Sequence, residues 1–355
     1  MSPCRHFIPP PFHDRRPNLV APVRTDPSGL TGPTPGQARG PHWRRTSRGL
    51  HVPASADRDD VEQRTVEAAA VLPGVGGVTG WAALRWHGGT WFDRRTGKGE
   101  DLPVDLATCY DDIRNQPGIH VIQERLGPSE LIVSDGLRTT SPARSVCLMM
   151  RYARDVREAV VIADMAAFSD LVSRDELAAY FVQCSGWTGI PQARDALLLM
   201  DENSWSPWET WLRLVWRLDA GFPSPLSNRP IFDRAGNHVA TPDLLDLESG
   251  TYGEYDGGLH LEGKQRSRDI ARADRLRNLG LEGFTILATE IPHPEHAIQR
   301  MIDARRRARW EPESRRQWAV ELPPWWTPTH TVELRRRLTA RQRDRWLRRR
   351  RSMAG

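Results

Sequence analysis

The feature that most constrains this chain is a change of hydrophobic period at Ser141-Pro142. Before it, apolar and polar residues alternate in Leu102/Val104/Leu106, Ile119/Val121 and Leu131/Val133, with Pro-Gly and Asp-Gly turns between, the pattern of a small β-meander. After it, the spacing is helical. Ser141 can cap and Pro142 fits the first position of a helix to about Arg154, and a second helix covers Val156 to Phe168. Ser173-Arg-Asp-Glu176 is a capping box opening a third, and Pro191 to Met200 reads as a fourth. One repeating architecture cannot satisfy both patterns, and 355 residues allow about two domains.

With 39% hydrophobic residues the chain can bury a core, and its 28 prolines and 28 glycines without a period exclude collagen and a long coiled coil. Cys4, Cys109, Cys147 and Cys184 form no Cys-x-x-Cys pair, which is poor spacing for zinc or a disulfide framework and points to a reducing cytoplasm. The longest uncharged run, Ala68 to Leu84, is broken by Pro73 and four glycines, so no membrane span or membrane partner is expected, and no apolar signal segment begins the chain. Charge is uneven: nine arginines face three aspartates in residues 1–58, and ten face Glu333 and Asp344 from residue 331 on. Because the net charge is only +5, the body between the ends is acidic.

Five regions follow. Residues 1–41, Pro- and Arg-rich with no period, are expected to be disordered and dispensable for folding. Residues 42–140 form a small α+β region with a strand or wing near His42 to Pro53 and helices at Val61 to Leu72 and Gly80 to His87. Residues 141–203 are a helical linking block. Residues 204–300 open with Ser206-Pro-Trp-Glu209, a capping box whose helix sets Trp208, Leu212, Val215 and Trp216 on one buried stripe. Strand signals at Pro230–Phe232, His238–Leu247 and Tyr252–Tyr255, a helix over Lys264–Leu279 ended by Gly280, and a strand at Phe284–Leu287 complete it. That order predicts an α/β layer around a mixed sheet. Residues 301–355 read as an Arg-rich tail, either a basic helix on phosphates or a solvated segment.

The chemistry gathers in the strand pair. With Ser249-Gly250 as a two-residue turn, Asp243 faces Asp256 and Glu254 sits two residues along on the same face, so three carboxylates are expected within about 6 Å. Like charges opposed on a ladder destabilise it, so a divalent cation is the expected compensation. Oxygen-only ligands suit Mg2+ or Mn2+, which can lower the pKa of bound water and stabilise phosphoryl displacement. His260 follows the flexible Gly257-Gly258 and can serve as general acid or base. Glu209 has a competing role, since the third residue of a capping box can return to the Ser206 N–H.

Thr-Pro-Asp243-Leu-Leu, Gly-Glu254-Tyr-Asp256-Gly-Gly-Leu-His260 and Arg268-Asp269-x-x-Arg272-x-x-Arg275-Leu-x-x-x-Gly280 resemble the endonuclease-like domains related to very-short-patch-repair endonucleases, in the PD-(D/E)XK superfamily. The resemblance covers roughly Ser204 to Ile291 and implies a restriction-endonuclease-like fold. It also implies metal ligands at Asp243, Glu254 and Asp256, proton transfer by His260 and an acidic helix residue at Glu209. The superfamily's lysine two residues after the Glu is Asp256 here, and Lys264 lies eight residues further on. Arg268, Arg272 and Arg275 lie along one helix face, either as a phosphate-facing stripe or with Arg272 pairing Asp269. Residues 42–145 resemble, more weakly, actinobacterial proteins akin to AbiE-type antitoxins, with Gly49-Leu-His-Val52-Pro53 as the wing. The expectation is an active or degenerate metal-dependent DNA endonuclease with DNA as partner and no small-molecule cofactor. The alternative is an antitoxin-type DNA-binding regulator on a non-catalytic nuclease-like fold.

Overall fold

The computed structural model describes residues 7–93, 101–109, 113–257 and 263–353, which divide after Tyr152 into two units of mixed α/β structure.

In the first unit, β1 (Pro11–His13) and β2 (Arg16–Val20) form a hairpin, and β3 (Val23–Arg24) lines β5 (Leu50–Pro53) opposite β4 (Trp43–Ser47). Residues 7–41 are therefore ordered, against the expectation for the Pro/Arg-rich start. Local polar bonding replaces apolar periodicity there. The Asp26 carboxylate accepts from the N–H groups of Ser28, Leu30 and Thr31, and the Gln63 amide bonds both the N–H and the carbonyl of Val20. Then come α1 (Val61–Ala69), capped by the Asp60 side chain, β6 (Gly76–Val78), α2 (Gly80–Trp86), β7 (Val104–Thr108), β8 (Ile119–Gln123), β9 (Leu131–Ser134), β10 (Leu137–Thr140) and α3 (Pro142–Arg151), capped by Ser141. The sheet order is β8-β7-β6-β10-β9. Because β7 and β8 run parallel, this region is not the meander that the alternation predicts.

The second unit begins with α4 (Val156–Phe168), α5 (Arg174–Gln183), α6 (Ile190–Leu199) and α7 (Pro207–Leu214), which continues as a wider π turn over Val215–Asp219. β11 (Leu226–Ser227), β12 (Ile231–Asp233), β13 (His238–Ala240), β14 (Leu244–Asp246), β15 (Thr251–Asp256), α8 (Gly263–Asn278), β16 (Glu282–Leu287), α9 (Pro294–Arg307), β17 (Trp318–Ala319), α10 (Val332–Arg336) and α11 (Ala340–Met353) follow. One sheet has the order β11-β14-β15-β16, antiparallel except for the β15/β16 pair that α8 connects in parallel. A smaller sheet has the order β13-β12-β17.

Alternation along the strands divides the core. Leu244, Phe284 and Ile286 pack with Leu212, Val215 and Trp216 of the α7 segment and Met301 of α9. Leu245 and Tyr252 point to the other side, against Leu276 of α8 and Trp318. Trp208, expected in the buried stripe, is instead 42% exposed and stacks on Tyr255 at 5.9 Å. Two glycines fit the parallel pair: a Cβ at Gly253 would strike the ring of Phe284, and one at Gly283 would strike Tyr252, its register partner.

The C-terminal segment is not a tail. Met301 and Ala304 belong to the core, and Arg335, 1% exposed, donates to Asp170 Oδ1 at 2.7 Å, to the Ala167 carbonyl at 2.7 Å and to the Thr329 carbonyl at 3.0 Å. Arg343 reaches Asp170 Oδ2 at 2.9 Å. Arg335, Arg336 and Arg343 are held by the Asp170 and Glu176 carboxylates and by carbonyls at and just beyond the end of α4, the groups a cation stabilises at a helix C-terminus, whereas Arg345 is exposed.

Candidate functional site

Register decides which carboxylates meet. β14 and β15 pair as Leu244↔Gly253, Leu245↔Tyr252 and Asp246↔Thr251, so the register continued by one residue sets Asp243 opposite Glu254, not Asp256. The cause is the turn: it spans Leu247 to Gly250, held by Asp246, whose carboxylate accepts from the Glu248 N–H and the Ser249 hydroxyl and whose carbonyl accepts from the Gly250 N–H at 3.0 Å. Gly250 has φ +74°, a left-handed conformation that glycine adopts without strain. The slip is two residues, so every side chain keeps its face. Asp256 remains on the Glu254 face, half-buried at the far end of β15, where its charge helps raise the Tyr255 phenol above its ordinary value, after burial.

Glu209 takes the place that the register denies to Asp256. The Ser206 hydroxyl caps α7 by accepting from the Glu209 N–H at 3.1 Å. The Glu209 carboxylate does not return to the Ser206 N–H; Oε2 accepts from the Trp205 N–H at 2.8 Å and from Asn228 Nδ2 at 2.6 Å. Asn228, in a left-handed conformation at φ +45°, also donates its backbone N–H to the Asp243 carbonyl at 3.2 Å. One asparagine therefore ties the first turn of α7 to the start of β14. It was not among the residues singled out in the sequence, and its signals were weak: an Asn in Ser-Asn-Arg-Pro, a residue type that tolerates the left-handed region.

The electrostatics show the clustering. Burial pushes the Glu209 carboxyl up to about 7; its bonds from Asn228 and Trp205 oppose this, and the charge of Asp201 adds to it. Asp243 is raised well above the usual carboxylate range, first by burial and then by the charges of Glu209 and Glu254. The Tyr255 N–H, donated to Asp243 Oδ2 at 2.7 Å, and the charge of Arg272 act in the opposite direction. Arg272 of α8 pairs with Glu254. Of the expected arginine stripe, Arg272 is thus turned to the carboxylates and Arg275 is exposed, while the side chain of Arg268 and all of His260 lie outside the described residues.

Asp243, Glu254 and Asp256 do not make a three-donor cage: among the described residues, no group of three or more His, Cys, Asp or Glu side chains is arranged to hold a metal ion. The donor chemistry nevertheless fits a hard cation, because Mg2+ commonly takes one or two carboxylates and completes its shell with water and substrate phosphate. Asp243 and Glu254 supply such a pair, in a setting where like charges already oppose one another. No helix among the described residues is long and apolar enough to cross a membrane. No family model, curated protein or solved structure matches the chain.

Proposed function

We propose that the second unit is a metal-dependent phosphodiesterase acting on DNA, with Asp243 and Glu254 as the ion-holding pair. The observation that carries this reading is the convergence of Glu209, Asp243 and Glu254 on one end of the sheet, each raising the cost of charge on Asp243 or sharing its surroundings. Perturbed carboxyls set against like charges cluster at functional sites, where a ligand relieves them. A bound Mg2+ or Mn2+ would polarise a phosphoryl oxygen and supply a nucleophilic water at neutral pH. The chain's own groups do the rest. Asp243 is oriented by the Tyr255 N–H, Glu209 by Trp205 and Asn228, and a Glu209 carboxyl poised near neutrality can take or return a proton. Arg272, beside Glu254, offers a guanidinium to the phosphate as the ester enters.

The test is nicking of supercoiled plasmid by the full chain with Mg2+ or Mn2+. Activity is expected, and Asp243→Asn and Glu254→Gln should each lower it by about a hundredfold while leaving the protein folded. If the chain neither binds either ion by calorimetry nor nicks DNA, the reading is wrong. One observation favours a second reading in that event. The Arg272–Glu254 pair already neutralises part of the cluster, as suits an antitoxin-type DNA-binding platform that needs no ion.

A further inference from the structure

The second unit holds a pocket of about 190 Å3 that the carboxylate chemistry does not use. Four indoles line it, from Trp205, Trp325, Trp326 and Trp346. They come from three separate stretches of chain. Trp326 is fixed edge-on against Phe232 at 5.0 Å, whereas Trp325 is 57% exposed and presents its ring to solvent. The polar lining includes Arg229, Arg345, Arg350 and His330, and no carboxylate is among the lining residues. His330 is held below its ordinary value by burial and by the charges of Arg229 and Arg335, a sign of positive potential.

Two buried donors in this lining, Trp346 Nε1 and Arg229 Nε, meet no acceptor among the described residues. Buried donors are nearly always satisfied, so each such group calls for an explanation. A water bonded to these donors would still leave the indole walls of the pocket uncovered. The complementary occupant is flat, rich in acceptors and anionic. A nucleotide has these properties together: a base with π faces and ring acceptors, and a phosphate for guanidinium groups.

We propose that this pocket binds one nucleotide of a nucleic-acid strand, its base on the Trp325 ring and its phosphate between Arg229 and Arg345. The pocket also adjoins the carboxylate site, because Trp205 and Asn228 both line it and both bond Glu209. The proposal thus deepens the phosphodiesterase reading, and rests on it for the identity of the phosphate as a strand's own.

Calorimetry with the full chain tests it in EDTA, which scores binding apart from cleavage. The ligands are deoxyadenosine 5′-monophosphate, deoxyadenosine and inorganic phosphate. The monophosphate should bind at least about tenfold more tightly than either part alone. Trp325→Ala and Arg345→Gln, both at exposed positions, should each weaken it about tenfold, and Trp346→Phe, which keeps a ring but removes the donor, should weaken it as well. No heat at millimolar monophosphate, phosphate binding as tightly as the monophosphate, or affinity unchanged in Trp325→Ala and Arg345→Gln would each overturn the proposal. Binding with the expected losses, in a protein that never nicks DNA, supports the pocket and removes only the catalytic reading.

Discussion

Asp164 and Asp243 are buried carboxylates of the same unit, built in opposite ways. Asp164 Oδ2 accepts from Arg213 Nη2 at 2.6 Å and from the Thr210 hydroxyl at 2.8 Å, while Oδ1 accepts from the Asp201 N–H at 2.8 Å. Burial raises it to about 6, Arg213 pulls it back, and the Asp201 charge pushes it up. It pins α4 to α7 and to the loop after α6. Asp243 has a backbone N–H from Tyr255, but its charged neighbours include two more carboxylates. The contrast separates a joint from a site. A buried acid matched to a cation and a hydroxyl holds elements together, whereas buried acids set against one another store unfavourable charge that a ligand can relieve.

The largest expected effect lies on the joint. Arg213→Met leaves Asp164 buried without its cation and should cost about 3–5 kcal/mol, on the order of 10 °C in thermal midpoint for a unit of this size. A midpoint within about 2 °C of wild type would mean that Asp164 needs no such partner, and the comparison would collapse. The next effect is a pH dependence at the site. Glu209 rises from an ordinary 4.5 to about 7. Between those values the unfolded chain has lost a proton that the folded chain keeps, so stability contributed through Glu209 falls as pH rises through the window and levels off above it. The loss is on the order of 3 kcal/mol. In urea unfolding, the advantage of Glu209→Gln over wild type should therefore grow from pH 5 to pH 8, and an advantage that shrinks would contradict the assignment. The smallest effect separates the two aspartates directly. Without divalent ions at pH 8, Asp243→Asn should gain about 1 kcal/mol by removing a like charge, while Asp164→Asn should lose stability. Shifts of the same sign in both variants would erase the distinction.

The sequence made the strand–carboxylate arrangement legible because strand parity is robust: the hairpin slipped by two residues, and Asp243, Glu254 and Asp256 still share a face. What parity could not supply was the turn. Ser249-Gly250 has the composition of a two-residue turn, but Asp246 collects a backbone and a hydroxyl donor from the residues after it and widens the loop to four. Glu209 was legible as a cap residue, and its first-turn position was correct. Its acceptor role toward Trp205 is local, but the one toward Asn228 depends on chain 19 residues away, which no local pattern encodes. Both ends of the chain depart from the sequence pattern for a shared reason. Absence of apolar period says that a segment buries little on its own, yet the N-terminal segment is ordered by backbone pairing and by Asp26 and Gln63, and the C-terminal arginines are ordered by Asp170.

The glycine–aromatic pairs in β15 and β16 carry a consequence for alignment. Gly253 faces Phe284 and Tyr252 faces Gly283, so each strand presents large next to small against small next to large. Slide the strands by one residue and either two rings collide or two glycines leave a void; only one setting of this vernier closes. Glu254 is the very next residue on β15. The notch thus fixes the height of Glu254 against Thr285 on β16, while the Asp246 turn fixes it against Asp243, so the carboxylate is indexed from both neighbouring strands by separate devices.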